Sequence, residues 1–241
     1  MAVDGNVSAK KSRAIPSADV YPQSLAALVP DGLTEDAALA LLRRPDLSAD
    51  VLEQLGKNGN LLKHRKVKLA LVAHPKTPRH VSLPLIRQLY TFDLMQVALT
   101  PSVAADLKLA ADEALCCRME IISSGEKLTL AHRASGRVAG ELLLDSDSSV
   151  MQAALQNSRL TETLIIRALM RPEATGAFVE AVSHHPQWSL RREVRIALLR
   201  DEKTPMARAA EFARSVPAAQ LREILQGSRL PQNVKLFLLS E

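Results

Sequence analysis

Apolar residues recur along most of this chain at the three- and four-residue spacing of an amphipathic helix. In the segment VKLALVAHPKTP (67–78), Val67, Ala70 and Leu71 occupy positions i, i+3 and i+4, which share one helical face. Nearly the same twelve residues return as VRIALLRDEKTP (194–205). The pattern therefore predicts short helices, and the repetition predicts that they belong to recurring structural units.

The Lys-Thr-Pro motif that closes both segments predicts a boundary between two helices. Lys76 follows the first helix, where a cation suits the negative end of the helix dipole. Thr77 is expected to cap the next helix, and Pro78 to take its first position, where a missing N–H costs nothing.

A shift of 127 residues aligns 33–114 with 160–241 without a gap, which indicates an internal duplication. A shorter period of about 40–44 residues lies within it, with units that begin near residues 23, 67, 107, 150, 194 and 234. We therefore predict an all-α fold, a right-handed α-solenoid of about five and a half HEAT-like repeats over 22–241. Residues 1–21 are predicted to form a flexible N-terminal tail.

The pattern V-[KR]-x-A-L-x-x-x-x-K-T-P, followed by an apolar helix, resembles HEAT-like and leucine-rich repeat variant arrays of bacterial proteins. This resemblance implies a fold rather than an activity, because solenoids of this kind serve many partners. Some leucine-rich repeat variant proteins carry an N-terminal cysteine cluster for iron and sulfur. The sequence has no such cluster, so no cofactor is expected. HEAT-like DNA glycosylases, which are also basic α-solenoids, provide the enzymatic comparison.

Composition indicates which side chains form the core and in which compartment the protein is expected. Aromatic residues make up only 3% of the chain, so the core must consist mainly of aliphatic side chains. The two cysteines, Cys116 and Cys117, are adjacent and cannot staple distant segments. The N-terminal residues lack the apolar segment of a secretory signal, and no membrane-spanning stretch is evident. We expect a cytoplasmic protein with no membrane contact.

Charge suggests where a partner would bind. The formal net charge is +5, and the stretch 57–92 contains no Asp or Glu, whereas four acidic residues interrupt its duplicate at 184–219. The basic pair Arg65 and Lys68 aligns with Arg192 and Arg195. In stacked repeats the two pairs are expected to form one stripe on the concave face. The alternative is an ordinary solvated helix surface. The candidate binding residues are Lys63, Arg65, Lys66, Lys68, Arg191, Arg192 and Arg195.

No set of catalytic or metal-binding side chains is indicated by the spacing of residues in the sequence. Trp188 aligns with Leu61 and is expected in the core rather than in a base-stacking role. His184 and His185 are adjacent but have no third ligand at a useful spacing. Cys116 and Cys117 are expected to be structural, and Asp147 or Ser148 is expected to cap a helix.

These patterns favour a non-enzymatic scaffold that presents a concave, partly basic surface to a protein partner. The first alternative is a nucleic-acid-binding α-solenoid related in fold to the HEAT-like DNA glycosylases, with residues 57–92 contacting phosphates. A second alternative is structural assembly through the ends of the array.

The last helix predicts a further contact. Over 231–241, Val234, Phe237 and Leu238 form an apolar stripe flanked by Leu236 and Leu239. This arc is wide for a helix with a single neighbour, so part of it should stay exposed and dock against a partner or a second copy. The competing interpretation is a plain cap that buries the whole arc.

Overall fold

The computed structural model describes residues 33–228 and 230–240, and within these ranges the regular secondary structure is entirely helical. The predicted tail and the beginning of the first unit, near residue 23, lie outside the described residues. The α-helices are short, seven to twelve residues each, and a 3₁₀ turn, Leu61–Lys63, precedes the third. The α-helices are α1 Glu35–Leu42, α2 Ala49–Lys57, α3 Arg65–Ala73, α4 Arg79–Ile86, α5 Thr91–Leu99, α6 Ala105–Cys116, α7 Ser124–Arg133, α8 Gly136–Leu142, α9 Ser148–Leu155, α10 Glu162–Leu169, α11 Gly176–His184, α12 Arg192–Leu199, α13 Met206–Arg214, α14 Ala218–Gln226 and α15 Gln232–Ser240.

Helix boundaries coincide at the 127-residue offset. The bounds of α1, α2 and α5 match those of α10, α11 and α14 at both ends, and α3, α4 and α6 begin where α12, α13 and α15 begin. The shorter period falls on every third helix, because α3, α6, α9, α12 and α15 contain the predicted unit starts.

The helices are arranged in two rows. The most extensive contacts in the described part join helices that are adjacent or next but one in the chain. Contacts between alternate helices link α1, α3 and α5, and run without a break through α4, α6, α8, α10, α12 and α14. We call these the odd and even rows. A shift of nine helices, from α3 to α12, exchanges one row for the other.

The aliphatic core runs between these helices and includes the one tryptophan. Trp188 is buried, as predicted, in the position that Leu61 fills in the first copy. Its indole Nε1 donates to the Leu155 carbonyl at 2.9 Å. No helix in the described ranges has the length and apolar character that a bilayer-spanning segment needs.

The Lys-Thr-Pro motif works differently from the prediction. Thr77 does not cap α4; its buried hydroxyl donates to the Leu71 carbonyl at 2.6 Å and so closes the preceding helix. Pro78 is the N-cap residue of α4 rather than its first helical residue. Thr204 repeats this bond to the Leu198 carbonyl at 2.7 Å. The prediction failed because the orphan carbonyls of the previous helix lie within reach of the threonine hydroxyl.

Carbonyls at helix ends also receive hydrogen bonds from side chains two helices further along the chain. A helix of eight residues leaves four carbonyls without an intrahelical partner, so about half of its acceptors need donors from elsewhere. Side chains that follow or belong to one helix supply them to the helix two before. These donor–carbonyl pairs are His74 to Arg44, Arg118 to Arg87 and Leu89, Asn157 to Ala131 and Ala134, Trp188 to Leu155, and Arg208 to Ser183.

Thr77→Val is expected to lower the free energy of unfolding by about 1–2 kcal/mol, because it leaves a carbonyl acceptor without its donor at nearly constant volume. Thr204→Val should have a similar effect. Chemical denaturation provides the measurement. Thr129→Val is the control, since its hydroxyl bonds the Gly125 carbonyl in an exposed setting and its loss should change stability by less than about 0.5 kcal/mol. Equal effects of Thr77→Val and Thr129→Val would contradict the proposed role.

Candidate protein-binding surface

The stretch 57–92 lacks acidic residues in the sequence, but the fold supplies them. Carboxylates on α1, α2, α5 and α6 lie beside its basic side chains at hydrogen-bonding or ion-pairing distance. The pairs are His64–Glu35, Lys57–Glu53, His80–Glu53, Arg65–Asp93 and Arg79–Asp106. These pairs interrupt the basic surface that the sequence suggests. Two exposed cations without a carboxylate partner in the described chain, Lys63 and Lys66, lie where α3 begins.

Arg65 forms a two-bond ion pair with a buried carboxylate. Its Nε and Nη2 atoms donate to both carboxylate oxygens of Asp93 at 2.7 and 2.8 Å. The Asp93 side chain is buried, whereas that of Arg65 is 56% exposed. This hydrogen-bonded carboxylate raises the pKa of Arg65, so the guanidinium stays charged. A buried carboxylate thus holds an exposed guanidinium in one orientation.

An exposed aromatic ring lies against this guanidinium. The Cζ atom of Arg65 is 5.2 Å from the centroid of the Tyr90 ring, within the range of a cation–π contact. Tyr90 is 64% exposed, and Phe92 nearby is also exposed. Neither aromatic residue was among the binding residues predicted from the sequence. The available signal was their alignment with Pro217 and Ala219, which shows that the aromatic pair is present in only one copy.

The neighbouring lysines add charge without a carboxylate partner in the described chain. Lys63 is exposed and donates from Nζ to the Asn60 side-chain oxygen at 3.0 Å. Lys66 is exposed and has no hydrogen bond or ion pair with the described residues, and Lys68, further along α3, is half-buried. We call the surface formed by Lys63, Arg65, Lys66, Tyr90 and Phe92 the α3–α5 edge.

The second set of predicted binding residues lies elsewhere. Arg191 and Arg192 are exposed at the start of α12, beside Glu193. Arg195 is partly buried; its Nε donates to the Ser189 carbonyl at 2.6 Å, and its guanidinium lies over the Phe212 ring. Since α3 and α12 have no extensive contact and belong to different rows, the structure does not bring the two basic pairs together.

The adjacent histidines have structural contacts. The Nδ1 atom of His185 accepts from the backbone N–H groups of Gln187 and Trp188 at 3.2 and 3.4 Å. Asn58 occupies the equivalent position, and its side-chain oxygen forms the same kind of turn. No group of three or more potential metal ligands occurs among the described residues.

The expectation that both cysteines are buried holds in part for Cys116 and is wrong for Cys117. Burial raises the pKa of the Cys116 thiol to about 11, with Glu141 adding to the effect, so this thiol is not activated as a nucleophile. Cys117 is exposed. Asp147 is the N-cap of α9, as predicted, and accepts from the Ser149 N–H at 2.9 Å.

The last helix leaves apolar side chains in solvent. Leu236, Phe237 and Leu239 on α15 are all exposed, while Leu238 is buried. On α6, the position equivalent to Leu239 is Asp112, which is buried beside α8 and accepts from Ser135. The face of α6 that packs against α8 thus corresponds to a face of α15 without a neighbour in the described chain.

His185 predicts a pH dependence of stability. Burial lowers the pKa of His185, so the folded protein binds fewer protons at this site than the unfolded chain. The free energy of unfolding should be unaffected above about pH 6.5 and should fall as the pH drops below it, by at most about 1.4 kcal/mol per pH unit from this group. Denaturation at pH 5 to 8 measures this change.

His185→Asn, which installs the side chain found at residue 58, should make the acid loss smaller. His184→Asn is the matched control, since His184 is exposed and does not form this turn. An unchanged pH profile in His185→Asn would contradict the assignment.

Searches of protein-family models, curated proteins and solved structures find no match for this chain.

Proposed function

We propose that this protein is a HEAT-like α-solenoid that acts as a non-enzymatic scaffold and binds an acidic segment of a protein partner at the α3–α5 edge. The solenoid part of the proposal is supported by two observations: the most extensive helix contacts join near neighbours, and the helix bounds of the two halves coincide. About five and a half units of three helices each describe the predicted array.

The observation that carries the binding proposal is the arrangement of Arg65 and Tyr90. Arginine and tyrosine are enriched among residues that dominate binding energy, and a side chain that is already ordered loses less entropy on binding. Asp93 holds Arg65 beside the exposed Tyr90 ring before any partner arrives. This rigid pair is suited to contact an aromatic or aliphatic side chain and a carboxylate together.

Charge supplies the preference for an acidic partner. Lys63 and Lys66 flank Arg65 and have no carboxylate partner among the described residues. The first turn of α3 contains no acidic residue to offset the positive end of the helix dipole. An incoming carboxylate would relieve this local excess of positive charge. The second copy lacks these features, because Leu190 and Glu193 replace the two lysines.

Fluorescence anisotropy with two probes tests the proposal: a labelled peptide of alternating Asp and Phe residues, and a generic 20-base-pair DNA duplex. We expect the peptide to bind, and the combined change Lys63→Glu, Lys66→Glu and Tyr90→Ala to weaken binding at least tenfold. Arg65 should be left unchanged, because its removal would leave the buried Asp93 carboxylate without its ion-pair partner and lower the melting temperature.

Arg191→Glu with Arg192→Glu is the matched control, since it reverses two exposed charges at the equivalent helix start without affecting the α3–α5 edge. Circular dichroism melts verify folding of each variant. Equal peptide binding by both variants contradicts the proposed site. Binding of DNA but not of peptide, with affinity that falls steeply as salt rises, would replace the proposal with the nucleic-acid alternative.

The apolar face of α15 supports a separate proposal, self-association through this helix. Combined Leu236→Ser, Phe237→Ser and Leu239→Ser changes replace only exposed side chains. If α15 joins two copies, sedimentation should detect a dimer that these changes convert to a monomer with little change in melting temperature. A monomer before and after the changes would contradict self-association.

A further inference from the structure

A cleft of about 310 Å³ opens between the end of α12, the start of α13 and α15. Its lining is mainly apolar and includes Leu198, Leu199, Met206, Ala209, Val234 and Leu238. Asp201, Glu202 and Thr204, from the turn between α12 and α13, also line the cleft. Nothing in the α3–α5 edge contributes to it.

The cleft differs from the corresponding place in the first copy by the absence of an ion pair. At the corresponding place in the first copy, Arg79 at the start of α4 donates to Asp106 on α6 at 2.6 Å and bridges the two helices. The equivalent residues are Met206, which lines the cleft, and Asn233, which precedes the cleft residue Val234; these two side chains form no such bridge. The second copy therefore lacks the ion pair that crosses this position in the first.

A smaller side chain further widens the cleft. Leu107 on α6 is fully buried in the first copy, whereas its equivalent on α15, Val234, has one carbon fewer and is only half-buried. Leucine and valine differ by one methylene group, and tightly packed interiors respond to changes of this size. The loss of the bridge and the smaller residue both leave apolar surface accessible at the same place.

The cleft has also gained negative charge. Asp201 and Glu202 stand where the first copy has His74 and Pro75. Asp201 accepts from the backbone N–H of Lys203 at 2.8 Å, and Glu202 has no hydrogen bond or ion pair with the described residues. The nearby ammonium groups of Lys203 and Lys235 donate to the carbonyls of Ala174 and Ser228. Two carboxylates therefore line an apolar cleft in a chain of net positive charge.

We propose that this cleft is a second binding site, which takes a peptide segment of a partner protein with an aliphatic side chain flanked by lysine or arginine. The aliphatic side chain fills the space beside Met206, Val234 and Leu238, where its burial removes apolar surface from water. The flanking cation contacts Glu202 and Asp201. A cationic partner is favoured by charge complementarity, since the carboxylates have no cationic side chain among the described residues as an ion-pair partner.

The test uses two fluorescein-labelled peptides, Ala-Lys-Leu-Lys-Leu-Lys-Ala and the same peptide with glutamate in place of each lysine. We expect the lysine peptide to bind and the glutamate peptide to bind at least tenfold more weakly. Combined Met206→Arg and Asn233→Asp changes install the residues that bridge α4 and α6 in the first copy, leave the net charge unchanged and should weaken binding of the lysine peptide at least tenfold. Glu202→Gln should weaken it about three- to tenfold.

Glu120→Gln is the control for loss of one exposed carboxylate, because Glu120 is remote from the cleft in the helix order and has no partner in the described chain. It should bind as the original protein does. If the double variant fails to fold, Val234→Leu, which restores the residue of the first copy, serves in its place and should weaken binding in the same direction.

Equal binding of the lysine and glutamate peptides overturns the proposal, and so does full binding by a folded variant in which the cleft is closed. The alternating Asp and Phe peptide should bind these variants normally, since the α3–α5 edge is intact. The two kinds of peptide therefore distinguish a loss of binding at the cleft from a loss of binding at the α3–α5 edge.

Discussion

The backbone carbonyls at the ends of short helices impose the constraint on which the rest of this structure depends. Helices of about eight residues leave roughly half of their carbonyls without an intrahelical donor, and each buried carbonyl left unsatisfied costs about 1–3 kcal/mol. Threonine hydroxyls close α3 and α12 from within the following turn. Arginine, asparagine, histidine and tryptophan side chains reach from one helix to the helix two before. These bonds tie a helix to the helix two before it.

This constraint changes the meaning of the positive charge. Several cations that count toward the net charge of +5 are committed to carbonyls within the fold, as with Arg118, Lys203 and Arg208. Others meet carboxylates from neighbouring helices. A basic pI is therefore weak support for a phosphate-binding face in this protein. The start of α3 is distinguished by a buried carboxylate that orients one guanidinium beside an exposed ring.

The two copies share a framework but differ where the surface is open. Equivalent lysines, Lys108 and Lys235, donate to equivalent carbonyls, at residues 101 and 228, and the threonine bonds also match. Lys63, Lys66, Tyr90 and Phe92 of the α3–α5 edge occur only in the first copy, whereas Arg65 is matched by Arg192. The cleft beside Met206 lies in the second copy, with Asp201 and Glu202 where the first copy has His74 and Pro75. The threonine and lysine bonds to backbone carbonyls are thus common to both copies, whereas the α3–α5 edge and the cleft differ between the copies and carry opposite charge.

Helical periodicity and the 127-residue repeat were sufficient to determine the all-helical structure and the burial of Trp188, because both depend on local spacing and on side-chain size. Tertiary structure alone decided which helices share a row, since a nine-helix shift exchanges rows and separates the matched basic pairs of α3 and α12. It also decided the partners of charged groups. Asp93 reaches Arg65 from 28 residues away, and Thr77 turns back to Leu71, because hydrogen bonds follow proximity in space.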